Sequence, residues 1–540
     1  MKRTIRRILS LLLALASITA LFAGCGDDEE RSLYYPVADG FSSVDPQVAS
    51  GDGAGIVASN CFEGLMRRDP DGAAVPAGAD SYTVSPDGKT YTFKLRRDAV
   101  WYLTNTSKES LDTLPADLDV RVTAADYVFG LRRCVDPVTG SAGAKNLTAV
   151  KGAAEIIAGK ASPDTLGVRA VDDFTLEITL IRPDPGLLQT LSSAYAAPCK
   201  QAFFEACRGR YGLALRYLLC NGPFLVWQLP DEKTFVEMRR NDRYTGAEKP
   251  KVYSVWLYDN SDQADVEDKL KDGKYDAGYV DSDHSAALRR KRGFTVTGVS
   301  GALWGFWFNA ADPVFADRNM RLAFAVSVNV NDIAIPDDAE GKTSRLLLES
   351  DYPYFEFSPE KIAADDETAG KYFRAAVATN EDLDADLTLT VLTVPALEDT
   401  VKKQCQRWQR VFGTDVKTKT VEPADAFDEL QYGDYQIAFL PCALGSLSDA
   451  ELFSRFLSGS SGNPVSMNDK AYDGLFTAIT DGMTDEQKLV AYQDCEQRIL
   501  SEGYVVPVFT TATYFVCGRG VSGIEAVSPE EVYFLWGDIS

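Results

Sequence analysis

Residues 82–96 read Tyr-Thr-Val-Ser-Pro-Asp-Gly-Lys-Thr-Tyr-Thr-Phe-Lys-Leu-Arg and describe a β-hairpin. Its turn is Pro86-Asp87-Gly88, in which proline presets the backbone for a reversal and glycine accepts a left-handed conformation. Residues 90–95 alternate polar and apolar side chains, which is typical of a strand with one buried face. The stretch therefore predicts two antiparallel strands, 82–84 and 90–95, that pack on a core.

Strands and helices alternate on both sides of this hairpin. Further strands are predicted at 32–37, 174–180, 388–392, 415–421 and 436–440. Helices are predicted at 52–67, 400–412, 425–431, 449–457 and 486–502. Another helix opens at 122–126, where Thr123 and Asp126 form an approximate capping box. Alternation of this kind favours an α/β fold over a sandwich.

Length and charge narrow the class of protein. The chain has 540 residues, which is too long for a single core, and 45% of them are hydrophobic, as in globular proteins. The net charge is −24, or −28 without the four basic residues among the first 24. So acidic a surface argues against a nucleic-acid partner, because phosphates need a basic face.

The first 25 residues, which end in Leu21-Phe22-Ala23-Gly24-Cys25, have the layout of an export signal. A basic start precedes an apolar run over 8–22, which is short for a spanning helix of about 20 residues. The sequence resembles a bacterial lipoprotein signal. That resemblance implies removal of 1–24, lipid attachment at Cys25 and a linker over 25–31. An ordinary signal peptide and an uncleaved membrane helix are the alternatives.

Cysteine and histidine usage indicates no metal site. The chain has ten cysteines without a C-x-x-C pair, and its single histidine is His284. Cys199 and Cys207 are the closest pair and the first candidates for a disulfide, although scattered cysteines in a large chain are more often buried thiols. No P-loop, G-x-S-x-G or H-E-x-x-H motif occurs. We therefore expect no cofactor, no metal and no enzymatic activity.

Seven groups of short motifs follow one another along nearly the whole chain. They lie at 43–46 (SVDP), 60–65 (NCFEGL), 71–76 with 82–96, Trp101 with 122–126 (VTAAD), 221–224 (NGPF) with 240–244 (RNDRY), 306–309 (FWFN) with 313–321, and 505–509 (VVPVF). Their order resembles that of the family 5 extracellular solute-binding proteins, the oligopeptide- and dipeptide-binding receptors of ABC importers. Any one of these motifs is weak evidence for the resemblance, but seven of them in the family's order make it specific.

The resemblance implies an α/β fold of the class II periplasmic-binding-protein type, with two lobes, a hinge and an extra subdomain on the first lobe. Lobe I would comprise 32–60, 201–304 and 505–540. The subdomain would be inserted at 61–200, and lobe II would span 305–504. Because the chain would cross between the lobes twice, the lobes could close around a ligand.

The same resemblance places the ligand between the lobes. Residues implied to line the cleft are Phe41, Ser42, Ser43, Trp304, Trp307, Asn309, Ala443, Leu444 and Ser446. For the aromatic cluster at the crossing, core packing is the alternative, above all for Phe306, and at least one tryptophan is expected to face the cleft.

One position departs from the family pattern. Many members place an aspartate before a lobe II helix to pair with a peptide α-ammonium, whereas this chain has Leu444 or Ser446 there, depending on the alignment. A buried ammonium without its carboxylate costs several kcal/mol. Asp449 could substitute, but it is more simply the N-cap of its helix. A free peptide amine is therefore a poorer fit here than in typical members.

These observations predict a lipid-anchored, monomeric substrate-binding protein on the outer face of the cytoplasmic membrane, periplasmic if the host has two membranes. It would bind a peptide or other small solute and present it to an ABC permease. A peptide-sensing lipoprotein without an importer is the first alternative. A secreted hydrolase is the second, and it would need a nucleophile–base pair or paired carboxylates.

Overall fold

A computed structural model describes residues 31–539 except 71, 185, 337–338, 344–363, 380–386, 444–448, 461–462 and 481–482. The predicted export signal, Cys25, Leu444 and Ser446 lie outside the described residues.

The described residues form strands in both halves of the chain. In chain order these are β1 Ser32–Val37, β2 Met66–Arg68, β3 Ala74–Pro76, β4 Ala79–Val84, β5 Thr90–Leu95, β6 Val168–Asp172, β7 Thr175–Thr179, β8 Phe224–Gln228, β9 Phe235–Arg240, β10 Ser254–Asp259, β11 Ala277–Val280, β12 Thr295–Phe308, β13 Ala339–Lys342, β14 Thr388–Thr393, β15 Asp415–Thr420, β16 Ile437–Ala443, β17 Val505–Cys517, β18 Val521–Ser522, β19 Glu525–Ser528, β20 Glu531–Tyr533 and β21 Asp538–Ile539.

Helices are interspersed with the strands. They are α1 Asp52–Cys61, α2 Asn105–Ser110, α3 Ala124–Val135, α4 Ala153–Ile157, α5 Leu187–Thr190, α6 Gln201–Cys207, α7 Gln263–Lys271, α8 Ser282–Arg289, α9 Arg318–Val326, α10 Asp366–Thr379, α11 Glu398–Phe412, α12 Ala426–Tyr432, α13 Asp449–Ser454, α14 Lys470–Thr477 and α15 Asp485–Ser501.

Three larger sheets organise these elements, and β2-β3, β18-β21 and β19-β20 form three two-stranded sheets. The first is four-stranded with the order β1-β10-β9-β8, and the second is four-stranded with the order β4-β5-β7-β6. The third is a seven-stranded mixed sheet with the order β11-β17-β12-β16-β14-β15, and β13 also pairs with β17. The strands are joined by helices in both halves, which confirms the α/β class.

The hairpin predicted from residues 82–96 is present as β4 and β5. Tyr82 lies opposite Phe93, and Gly88 has a φ of +68° in the turn. The carboxylate of Asp87 accepts a hydrogen bond from the Ser85 hydroxyl at 2.5 Å, which fixes the turn. The predicted cap of the helix at Ala124 is also present, since Asp126 Oδ2 accepts from the backbone N–H of Thr123 at 2.9 Å.

The helix predicted over 52–67 ends earlier, at Cys61, so this prediction was wrong for its last six residues. Two hydrogen bonds to a segment much later in the sequence terminate this helix. The carbonyl of Cys61 accepts from Gly222 N at 2.9 Å, and Glu63 N donates to Asn221 Oδ1 at 3.1 Å. The backbone groups that would continue the helix are thus used by tertiary contacts.

The chain packs around two large hydrophobic cores. The first core takes its residues from 33–257, with Ala277, Val299 and 515–534, and the second takes its residues from 303–509. Residues 61–200, predicted to form a separate subdomain, contribute to the first core.

The end of the chain completes the first core. Asn60 on α1 donates through Nδ2 to the carbonyl of Val532 at 2.7 Å and accepts through Oδ1 from Phe534 N at 3.0 Å. Val532 and Phe534 are themselves fully buried there.

Nine described cysteines are free thiols, and eight of them are buried. Cys199 and Cys207, the candidates for a disulfide, are among them, so that pairing is not present in the structure. Among the described residues, no helix is both long and apolar enough to cross a bilayer.

Candidate functional site

Two long neighbouring strands, β12 and β17, connect the two cores. On β12, Val299 belongs to the first core and Leu303 to the second. On β17, Phe509 belongs to the second core and Phe515 to the first. The chain therefore passes from one core to the other along two hydrogen-bonded antiparallel strands.

The pairing of these strands is irregular where they cross. Ser300 lies opposite Ala512 and Leu303 opposite Thr510, so two residues of β12 face only one of β17. This is a β-bulge, which leaves ladder groups unpaired and permits local bending. The backbone N–H of Ala302 compensates by donating to the Thr511 hydroxyl at 3.2 Å. The bulge gives the molecule a joint between its two cores.

Two of the predicted cleft residues, Trp304 and Ala443, lie beside this joint. Ala443, the last residue of β16, lies opposite Ala302, and Trp304 lies opposite both Pro441 and Phe509. Strand β16 therefore ends, at Ala443, beside the bulge.

The two tryptophans have different surroundings. Trp304 is partly exposed, and its ring stacks on Phe509 with a centroid distance of 5.7 Å and an interplanar angle of 12°. Trp307 is fully buried, and its indole N–H donates to the carbonyl of Leu440 at 2.9 Å. In this conformation only Trp304 of the pair offers ring surface to a ligand. Trp307 and Phe306 pack in the second core.

The side-chain amide of Asn309 is hydrogen-bonded within the protein. Its Nδ2 donates to the carbonyl of Tyr435 at 2.9 Å, and its Oδ1 accepts from Ala311 N at 3.0 Å. Both sides of the amide are thus satisfied within the protein, and the residue is 6% exposed.

The remaining predicted residues, Phe41, Ser42 and Ser43, lie on the first core. Phe41 is buried, whereas Ser42 is exposed and its carbonyl accepts a hydrogen bond from Lys233 Nζ. Sequence reasoning missed Lys233, because a lysine in the turn between β8 and β9 carries no signal for a partner in the first loop. Its ammonium places positive charge on an exposed part of that loop.

The motif residues that carry the family resemblance include a buried structural cluster. Glu63 is buried, lies 2.5 Å from the Arg96 guanidinium and accepts a hydrogen bond from the Tyr244 hydroxyl. Burial, followed by the Glu63 charge, raises the pKa of Tyr244, so the hydroxyl stays protonated and remains a donor. Three separate motifs meet in this one cluster.

Asp45 and His284 also have local partners. Asp45 pairs with the buried Arg133 through Oδ2 at 2.6 Å. His284 Nδ1 lies 2.6 Å from Asp281 Oδ1 on the first turn of α8. Within the described part of the chain, no three His, Cys, Asp or Glu side chains gather in a way that would hold a metal ion. Asp449 is the first residue of α13.

The sequence-family model that describes the middle region of bacterial extracellular solute-binding proteins, family 5, matches residues 73–464. The chain belongs to this family. It is a binding protein and not an enzyme, which removes the hydrolase alternative. The expected two-lobed class II fold is confirmed as well.

Relatives match over nearly their full length. The dipeptide-binding protein DppE of Bacillus subtilis (strain 168) is 25% identical over 522 residues, which cover 94% of this chain and 92% of the relative. The unliganded open form of the murein tripeptide-binding protein MppA has a TM-score of 0.61 at 23% identity and covers 94% and 97% of the two chains. The protein AgaA from A. tumefaciens R10, in complex with agropinic acid, has a TM-score of 0.63 at 19% identity and covers 94% and 99%.

Proposed function

We propose that this chain is the substrate-binding lipoprotein of an ABC importer and captures a peptide or peptide-like solute between two lobes. Lobe I comprises 32–60, 201–304 and 505–540 with the subdomain 61–200, and lobe II comprises 305–504. The observation that carries the proposal is the pair of crossing strands with its bulge between two separate cores. Two such connections allow hinge closure around a ligand.

The ligand surface we propose combines both lobes. Trp304 supplies an aromatic wall, and the first loop supplies polar groups through the exposed Ser42 and the partly exposed Ser43. We also assign Ala443, Leu444 and Ser446 to this surface. Aromatic walls with a few placed polar groups are typical of small-molecule sites. Phe41, Trp307 and Asn309 act by supporting this surface, because they are buried.

We propose that the solute lacks a free α-ammonium at the position where many family members pair it. Leu444 and Ser446 supply no carboxylate there. The complex of AgaA with agropinic acid is an example of a ligand other than a plain peptide on this fold.

Thermal-shift screening of a di-, tri- and pentapeptide library, with each peptide also tested N-acetylated, checks this proposal. We expect N-acetylated peptides to raise the unfolding temperature at least as much as free ones. Strong stabilisation by free peptides alone would show that the missing carboxylate is misinterpreted. Mass spectrometry of the ligand that copurifies with the protein identifies the natural solute.

Turnover and anchoring need separate experiments. Peptide incubated with the protein should be recovered intact, and Cys25→Ala should move the protein from the membrane fraction to the medium. A membrane-bound Cys25→Ala variant would contradict lipid attachment at this residue. A peptide-sensing lipoprotein is the second candidate. A permease operon beside the gene would favour import, and a response to peptide that persists after deletion of such permease genes would favour sensing.

A further inference from the structure

Away from the crossing strands, the two cores meet at Arg182 and Gly459. Nε of Arg182 donates to the carbonyl of Gly459, which lies 277 residues further along the chain. Arg182 follows β7 of the second sheet, which packs on the first core, whereas Gly459 follows α13 of the second core. This hydrogen bond can form only while the two lobes are close together.

The backbone that carries Arg182 is held firmly by the hairpin turn. Leu180 N donates to the carbonyl of Lys89 at 2.7 Å, and Lys89 Nζ donates to the carbonyl of Ile181 at 3.1 Å. A Cβ on Gly88 would lie 3.2 Å from Cβ of Pro183, so the turn also packs against the residue after Arg182. The Pro-Asp-Gly turn therefore supports the arm from which Arg182 reaches out.

The receiving turn is equally well fixed. Gly459 has a φ of +79°, a conformation that favours glycine. Ser460 N donates to the carbonyl of Leu457 at 3.0 Å, and Ser458 N donates to Asp473 Oδ1 on α14 at 2.9 Å. The carbonyl is thus presented from a rigid turn rather than from a loose loop.

Glycine also leaves room for the arginine. A Cβ at position 459 would lie 3.1 Å from Cδ and 3.3 Å from Nε of Arg182. The contact therefore depends on the absence of a side chain at Gly459 and on the N–H donor of Arg182. In sequence, α13 lies between this turn and residues 444–446, which we propose to face the ligand.

We propose that Arg182 and Gly459 form a latch that stabilises the closed arrangement of the lobes and slows release of the bound solute. The proposal rests on the proposed function, because closure around a solute comes from there. A hydrogen bond from a charged donor is stronger than a neutral one. Since it exists only in the closed arrangement, it shifts the equilibrium toward closure by its net strength, which is the difference from the hydrogen bonds that both groups make with water when the lobes are apart.

Arg182→Met tests the latch, because methionine retains an unbranched stem but donates no hydrogen bond. Arg169→Met is the matched control, since Arg169 lies in the same sheet and pairs with Glu177 at 2.7 Å instead of reaching the second lobe. With the most strongly stabilising peptide of the screening library as probe, we expect Arg182→Met to raise the dissociation rate about tenfold, the effect of one hydrogen bond from a charged group. Arg169→Met should leave the rate unchanged, and equal rates for all three proteins would overturn the proposal.

Gly459→Ala approaches the same contact from the other lobe. Its methyl group should displace Arg182. The substitution also adds backbone strain, and the change in unfolding temperature measures that strain separately. In a double-mutant cycle, Gly459→Ala should accelerate release in the wild-type background but not in Arg182→Met. Additive effects on the rate would show that the two residues act independently and would also overturn the latch.

Small-angle X-ray scattering of the ligand-free proteins separates this proposal from the proposed function. Arg182→Met should have a larger radius of gyration than both wild type and Arg169→Met, whether or not any peptide binds. Identical scattering curves would overturn the latch even if peptides bind tightly. Failure of every peptide to bind, together with a larger radius, would overturn the peptide assignment alone.

Discussion

Asp45 shows what a single motif residue does in this fold. Its carboxylate reaches the guanidinium of Arg133 on α3 with distances of 3.1 and 2.6 Å, and the arginine also lies 4.0 Å above the ring of Phe204. Both charged groups are nearly inaccessible, with side-chain exposures of 5% for Asp45 and 9% for Arg133. The pair joins the first loop to a helix of the predicted subdomain.

Asp45→Asn should therefore lower the free energy of unfolding by about 3–5 kcal/mol, because it leaves a buried guanidinium without its counter-charge. Asp119→Asn is the control, since Asp119 and Arg121 form a pair that is about half exposed and should cost under about 1 kcal/mol. Urea unfolding curves measure both values. Equal effects of the two substitutions would contradict the role given to burial.

The thiols lead to a second prediction at this scale. The pKa of Cys199 is raised to about 12, because the effect of burial outweighs the opposite effect of the nearby Arg133 charge. Burial also raises the pKa of Cys495 to about 12. Because only the thiolate reacts, iodoacetamide at pH 8 should leave both thiols unmodified in the folded protein and alkylate them in urea. Mass spectrometry of tryptic peptides detects the difference. Rapid native alkylation of either cysteine would show that it is accessible.

At the residue level, the sequence identified the right motifs but not their partners. Glu63 and Tyr244 are 181 positions apart, and nothing in the local pattern indicates that they touch. For the same reason, Arg182 and Gly459 escaped notice, since an arginine after a strand and a glycine in a turn are common. Long-range partners depend on how the lobes fold and cannot be inferred from spacing.

Most of the predicted elements are present, and the exceptions have tertiary causes. The strand predicted at 32–37 is β1 with the same bounds, and the predicted strands at 388–392 and 415–421 are β14 and β15 within one residue. The helix that ends at Cys61 instead of 67 is stopped by contacts with Asn221 and Gly222. Periodicity predicts where an element can form, whereas distant backbone partners decide where it stops.

The crossing strands give a prediction at the scale of the element. A Cβ on Gly305 would lie 2.6 Å from the carbonyl oxygen of Val506, whereas a Cβ on Gly298 of the same strand would lie 3.6 Å from the ring of Tyr514. Gly305→Ala should destabilise the protein by about 1–3 kcal/mol, because β12 and β17 must separate to admit the methyl group.

Gly298→Ala is the matched control, and it should change the midpoint of urea unfolding little. If Gly305→Ala unfolds at the same urea concentration as wild type, the close approach of the two strands at this point is not a feature of the folded protein in solution.

For the whole molecule, the balance of charges sets the response to pH. The hydrogen bond from Arg121 lowers the pKa of Asp119 to about 2, and hydrogen bonds likewise lower the pKa of seven other carboxylates that are exposed or partly exposed. These are Asp87, Asp172, Asp265, Asp365, Glu398, Asp415 and Asp538. In contrast, burial raises the pKa of Asp52 and Asp276.

A carboxylate whose pKa is lowered by folding stabilises the protein above its ordinary pKa, and that contribution is lost as the pH falls through the folded value. We therefore expect the unfolding temperature to fall between about pH 4 and pH 2. Above this range, the net charge of −24 opposes compaction, so the temperature should rise slightly as the pH drops from 7 toward 5. Differential scanning calorimetry across pH 2–7 measures both trends, and a temperature that keeps rising below pH 4 would contradict the assignment.

The fold class of the whole molecule could be predicted because ordered motifs span nearly the entire chain. The nature of the ligand could not, because the motifs hold the framework together, whereas the residues that we propose to line the cleft, such as Trp304 and Ser42, belong to no distinctive pattern. One framework can carry many different binding surfaces, so identifying the framework from its motifs reveals little about the ligand.

Val532 and Phe534 make the first core depend on residues far from it in sequence. Among the described residues, the second core contains none beyond 509, whereas α1 in the first core takes its hydrogen-bond partners from residues 532–534. The second core can therefore form from one continuous stretch of chain. The N-terminal half can complete its core only when residues on the far side of that stretch have joined it, so the two halves of the molecule differ in the order in which they can become complete.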